Sequence, residues 1–190
     1  MKLGRLSLRL AVGGLFVGHG TQKLFGWFGG HGLEATAGFF ENLGLRPGKR
    51  HALAAGAAEA GGGALLVLGA ATPLASAVLI ATMLTAIQRV HLKNGPWASD
   101  GGYEYNLVLI AAALALAETG PGEPSIDAAL GSERQGPKWA ALALLMGAIG
   151  AAGAHAAASG ALAPPAEPDS APAAEPDPAP APEPNPPTAP

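Results

Sequence analysis

The sequence predicts an all-α fold, a polytopic transmembrane helical bundle followed by a disordered C-terminal tail. Residues 1–163 contain several long, nearly uncharged apolar runs, although the whole chain is 49% hydrophobic and 13% charged. From Pro164 onward the composition changes to twelve prolines and five acids with no base. The 28 glycines, with abundant alanine, suit helices that approach closely in lipid. The net charge of −3 originates in the tail, because the first 163 residues hold 11 bases against 9 acids. So few bases, with no basic stripe, exclude a nucleic-acid binder. The absence of cysteine excludes a disulfide, a thiolate metal centre and a redox-active CxxC pair.

A helix crossing the hydrocarbon core needs about 20 mostly apolar residues. Residues 6–28 supply the first span. Lys2, Arg5 and Arg9 give it the opening of a signal peptide, but its apolar run enters glycine-rich polar sequence without a small-x-small cleavage site. It is therefore expected to be retained. Residues 52–71, with Glu59 as their single charge, form the second span. The third, 74–90, meets its first polar interruption of consequence at Gln88. Residues 103–117 and 139–158 complete five expected spans. A soluble bundle would not carry so many long apolar runs. Gly14 and Gly18 form a GxxxG, and AAGAAEAGGG (54–63) places small residues on almost every face, so both are expected to pack against neighbouring helices.

The polar residues fall unevenly. In GHGTQKLFG (18–26), His19 and Lys23 are four apart and share a helix face, with Gln22 beside them. Threading the spans alternately, with the N-terminal side called A and the opposite side B, brings these groups to side B. Gln88, Arg89 and His91 end the third span there, and Tyr103, Glu104, Tyr105 and Asn106 begin the fourth. Glu59 lies roughly 10 Å into its span at 1.5 Å per residue. An ionisable residue at that depth costs on the order of 3 kcal/mol, so Glu59 should face the bundle. It then pairs with His19, Lys23 or Arg89, or stays protonated. Plainer readings exist for the others: Lys23 snorkelling beside Trp27 and Phe28, Arg89 and Lys93 as helix-end cations, Tyr103 and Tyr105 in an aromatic belt. The fourth span is only 15 residues, roughly 23 Å against a core of about 30 Å, which draws Glu104 and Asn106 below the headgroups.

Four motifs in order, GHGTQKLFG, AAEAGGG (57–63), GGYEYNL (101–107) and GPGEPSID (120–127), resemble the DoxX family of small bacterial integral membrane proteins. The likeness covers roughly residues 5–130. It implies a four-helix membrane domain over 1–130, with a fifth transmembrane helix at 131–160 and a Pro/Ala/acid-rich tail at 161–190 lying beyond the usual pattern. The family takes its name from a membrane subunit of an archaeal thiosulfate:quinone oxidoreductase. The resemblance thus implies a quinone-linked membrane component of a redox complex, at most one subunit of an oxidoreductase. It marks His19, Lys23, Glu59, Tyr103, Glu104 and Asn106 as family positions; with His91 they make the candidate intramembrane polar site. Quinone is the expected cofactor, and a redox partner would have to exchange the electrons.

The alternative is a non-enzymatic scaffold that docks peripheral proteins through the acidic tail and the basic loop LRPGKRH (45–51). A small-solute permease fits less well, since no inverted repeat is evident. No metal is expected from His19 and His91, two histidines on separate helices without a motif. The expected environment is the lipid bilayer of a bacterial plasma membrane. Side A holds Lys2, Arg5, Arg9, Arg134 and Lys138, and side B holds Lys23, Arg46, Lys49, Arg50, Arg89 and Lys93. Setting Lys23 and Arg89 aside as site residues makes side A the cytoplasmic face and leaves the tail outside.

Overall fold

A computed structural model describes residues 3–160, so the proline-rich tail lies outside the described residues. The elements are α1 (Leu3–Phe25), α2 (Gly32–Asn42), α3 (Gly48–Leu68), α4 (Thr72–Ala86), α5 (Glu104–Thr119), α6 (Ile126–Ala129) and α7 (Pro137–Ala158). No strand occurs among the described residues. The chain is an all-α bundle of a multi-pass membrane protein.

The five predicted spans correspond to α1, α3, α4, α5 and α7. Three helices are long and apolar enough to cross a membrane: Gly48–Leu68, Thr72–Asn94 (α4 and its continuation) and Pro137–Ala158. Helix α1 has 23 residues, but Arg5, Arg9, His19 and Lys23 lower its mean hydropathy. Helix α5 has 16 residues, about 24 Å at 1.5 Å each. Their polar ends are therefore held by the bundle rather than by lipid.

Helix ends follow local chemistry. Gly69 closes α3 in the left-handed region (φ 64°), and the amide of Ala70 bonds back to Leu65 O at 2.9 Å. Helix α4 starts with Pro73 in its first turn, where a missing amide costs nothing. Its free amides are capped from another part of the chain: Asp127 accepts from Ala71 N at 2.9 Å and Thr72 N at 3.2 Å. Ile87–His91 form one wider π-helical turn at the other end of α4.

Helices α1 and α3 run antiparallel and almost touch. A Cβ on Gly13 would stand 2.7 Å from Gly63 O, and one on Gly20 would stand 2.6 Å from Gly56 O. The predicted GxxxG pair behaves differently. Gly14 and Gly18 have nothing within 4 Å of such a Cβ, so this motif packs against no described part of the chain. The face of α1 that meets α3 is set by Gly13, Phe16 and Gly20, whose spacing keeps them on one stripe. Helix α4 is central, packed by α3, α5 and α7, with Leu79 and Ile80 fully buried. A Cβ on Gly147 would meet Ile80, which is how closely α7 lies on α4.

On side A, the GPGEPSID segment is tied down by two arginines. Arg5 donates to Thr119 O at 2.6 Å, and buried Arg9 donates to Pro121 O at 2.8 Å and Pro124 O at 2.6 Å. These cations therefore do more than count in a topology rule: they satisfy carbonyls left open after α5.

Candidate functional site

Side B holds a cavity of about 760 Å³ among α1, α2, α3, the end of α4, α5 and the C-terminal half of α7. Its walls are largely apolar, with Phe16, Phe40, Leu45, Val78 and Leu109 among them. Thr82 and Thr85 also line it, but each donates its hydroxyl proton to its own helix, to Leu79 O at 2.8 Å and Ala81 O at 2.9 Å. Such back-bonding turns the methyl groups toward neighbours and eases a bend in the helix.

Lys23 and Glu59 form the centre of the polar wall. Lys23 Nζ lies 2.5 Å from Glu59 Oε2, with the lysine side chain 26% exposed and the glutamate 7%. The approach depends on Gly20 and Gly56, which bring the two helices close enough for side chains one turn further along to meet. Of the three partners the sequence allows for Glu59, the structure selects Lys23. A buried carboxylate this close to an ammonium is held by Coulomb attraction in a poorly screened setting, and neither member tolerates loss of the other.

The remaining predicted residues separate into two groups. His19 lines the cavity one turn before Lys23, and Asn106 lines it from α5, buried, with Nδ2 donating to Met83 Sδ at 3.3 Å. His91 lines the rim, its Nδ1 2.7 Å from Gly101 O. Tyr103 and Glu104 do not line the cavity. Tyr103 precedes α5, and Glu104 accepts from Ala98 N at 2.9 Å, closing the loop before that helix. Tyr105, one residue on, reaches the cavity wall.

Two contributors escaped the sequence reading, and a third was read there only as a possible partner of Glu59 or a helix-end cation. Helix α2, with Phe39 and Phe40, roofs the cavity; its signal is the apolar spacing of Leu33, Ala37 and Phe40 between Gly32 and Gly44. His51 enters from the first turn of α3. Arg89 is no free helix-end cation: it lines the cavity, donates to Leu43 O at 3.4 Å and contacts His155 Nδ1 of α7. The π turn is what rotates Arg89 inward, and no sequence periodicity announces an inserted residue.

Chemically, the site offers an apolar slot lined by a charge pair, three imidazoles, a guanidinium and an amide. It can orient a ring or head bearing hydrogen-bond acceptors and can exchange protons with it. Among the described residues, no three His, Asp or Glu side chains gather as a metal site.

A family model described as DoxX matches residues 4–92. That segment includes α1, α2, α3 and α4 with its π turn, and thus His19, Lys23, Glu59, Arg89 and His91. It stops before GGYEYNL and GPGEPSID. Neither a curated relative nor a solved structure matches the chain. Residues 4–92, 89 of the 190, which hold the glycine-packed α1–α3 pair and its buried Lys23–Glu59 bridge, are thus similar to the DoxX family.

Proposed function

We propose that this protein binds a membrane quinone in the side B cavity and serves as the quinone-linked component of a redox complex in the bacterial plasma membrane. The observation that carries the reading is the Lys23–Glu59 bridge on the wall of an apolar cavity of about 760 Å³. That size is within the range of small-molecule sites, and few polar groups converge in it. A quinone ring needs donors for its carbonyl oxygens and a route for protons when it is reduced. Lys23 and His19 supply donors, Asn106 orients, and Glu59 holds a proton acceptor beside the lysine.

Reduction of a quinone to a quinol takes two electrons and two protons. This chain carries no cysteine, and the electrons would come from a partner protein bearing a redox centre. The protons would reach the ring through the histidine and glutamate on side B. The scaffold reading has less support in the loop meant to dock partners. Arg46 pairs with Glu41 at 3.4 Å and Lys49 with Glu34 at 2.6 Å, so two of its three strong bases are engaged within the chain.

The test is the quinone content of protein extracted from native membranes in mild detergent. Wild-type protein should retain close to one quinone per chain, and Glu59→Gln should lose most of it. Folded wild-type protein without quinone would reject the reading.

A further inference from the structure

The charge in the cavity is unbalanced. Among the described residues Glu59 is the one acidic residue on its wall, and it is spent on Lys23. Arg89 is the second strong cation on that wall, and among the described residues none of its hydrogen-bond partners is negative. Leu43 O accepts at a long 3.4 Å, His155 offers a ring nitrogen, and Arg89 Nε is buried without a hydrogen-bond partner. His19, His51 and His91 line the same cavity, and none of them is an anion. Asp100, the nearest other acid in sequence, does not line the cavity and accepts from Ser99 Oγ at 3.4 Å, and Glu104 is engaged with the Ala98 amide. A guanidinium whose Nε is shielded from water, with no counter-ion among the described residues, is costly to leave so, and its planar fork matches a carboxylate or phosphate.

We propose that the ligand of this cavity carries an anionic group, a carboxylate or a phosphate on an apolar tail, which pairs with Arg89. The inference rests on the reading that the cavity holds a membrane-soluble ligand, and it deepens that reading by giving the ligand a charge. The polar wall then has two stations. Lys23, Glu59 and His19 face one end of the ligand, and Arg89 takes its acid at the mouth framed by α2, the π turn and α7. The tail lies against Phe16, Val78 and Leu109. Arg89 is carried by the family-matched segment, whereas His155 belongs to α7 beyond it. An arriving anion therefore competes with His155 for the guanidinium without disturbing the Lys23–Glu59 bridge.

The experiment uses the full chain in nanodiscs of zwitterionic lipid and a fluorescent palmitic acid, with its methyl ester as the matched neutral probe. The acid should bind about tenfold or more tightly than the ester, the value of a charge-assisted bond. Arg89→Gln should abolish that preference, while Arg89→Lys, which keeps the charge, should retain most of it. Equal binding of acid and ester by the wild type would overturn the proposal, and this comparison needs no variant to fold. Lysophosphatidic acid should displace the probe, and inorganic phosphate at equal concentration should not. Displacement by phosphate alone would assign the site to a free oxyanion and overturn the amphiphile. Quinone retained by wild-type protein that shows no acid preference would sink this inference and leave the quinone reading standing. Acid preference in quinone-free protein would do the reverse.

Discussion

At the scale of single residues, the Lys23–Glu59 bridge governs both stability and ligand chemistry, and the two roles can be separated. Removing one member leaves the other charged and largely out of water, which costs about 3–5 kcal/mol. Replacing both with apolar residues of similar volume is close to neutral. Glu59→Gln and Lys23→Met are therefore expected to lower Tm in detergent, and the double variant Lys23→Met/Glu59→Leu to recover most of the loss without recovering quinone. Thermal unfolding of the four proteins checks this; singles as stable as wild type would show that the bridge is not buried as described. Glu59 was legible in the sequence because a lone acid in an apolar run must find a partner. Alternation of the spans put Lys23 at the same depth. Arg89 was legible only as one of three possible partners of Glu59, because the π turn that carries it leaves no mark in the apolar pattern.

At the scale of elements, glycine decides which helix faces meet. Gly20 opposes Gly56 and Ala60 with no room for a side chain, while Gly14 looks into open space. Gly20→Val should separate α1 from α3, break the Lys23–Glu59 bridge and abolish cooperative unfolding. Gly14→Ala should shift stability by no more than about 0.5 kcal/mol. The reverse ranking would mean that α1 packs by its GxxxG face. On the opposite side, Asp127 caps the amides of α4 and also bonds Thr72 Oγ1 at 3.1 Å. Asp127→Ala is expected to cost about 1–2 kcal/mol, read as a lower Tm with quinone content unchanged. The five long helices were legible from apolar run length. Helix α2 was not, because its 11 residues are too short to span and its amphipathic stripe sits between glycines that read as loop. The role of GPGEPSID was equally hidden: its carbonyls meet Arg9, and Thr119 O just before it meets Arg5, across more than a hundred residues of chain, and no local pattern encodes that.

At the scale of the whole molecule, the bundle has one end closed by hydrogen bonds and one end hollow. Side A is tied by Arg5, Arg9 and Asp127, and side B opens into the cavity beneath α2. This polarity was legible in outline, since the sequence crowds its intramembrane polar groups toward one side. The cavity itself was not, because its volume depends on how far α2 and α7 stand from α4. Setting aside the cavity-lining Lys23 and Arg89 leaves five bases on side A against four on side B, so side A is expected to be cytoplasmic, with the end of α7 outside. Alkaline phosphatase joined after Gly160 should be active and joined after Gly131 inactive; the opposite pattern would invert the topology and turn the cavity toward the cytoplasm.

With the side B cavity as the ligand site, a photoreactive azidoquinone should label its walls. Illuminated with the protein in native membranes and mapped by peptide mass, the label should fall on cavity residues such as Phe16, Ala55, Thr82 and Tyr105 and be displaced by excess quinone. Labelling confined to the lipid-facing side of α7, at Leu144, Leu145 and Ile149, would contradict the account.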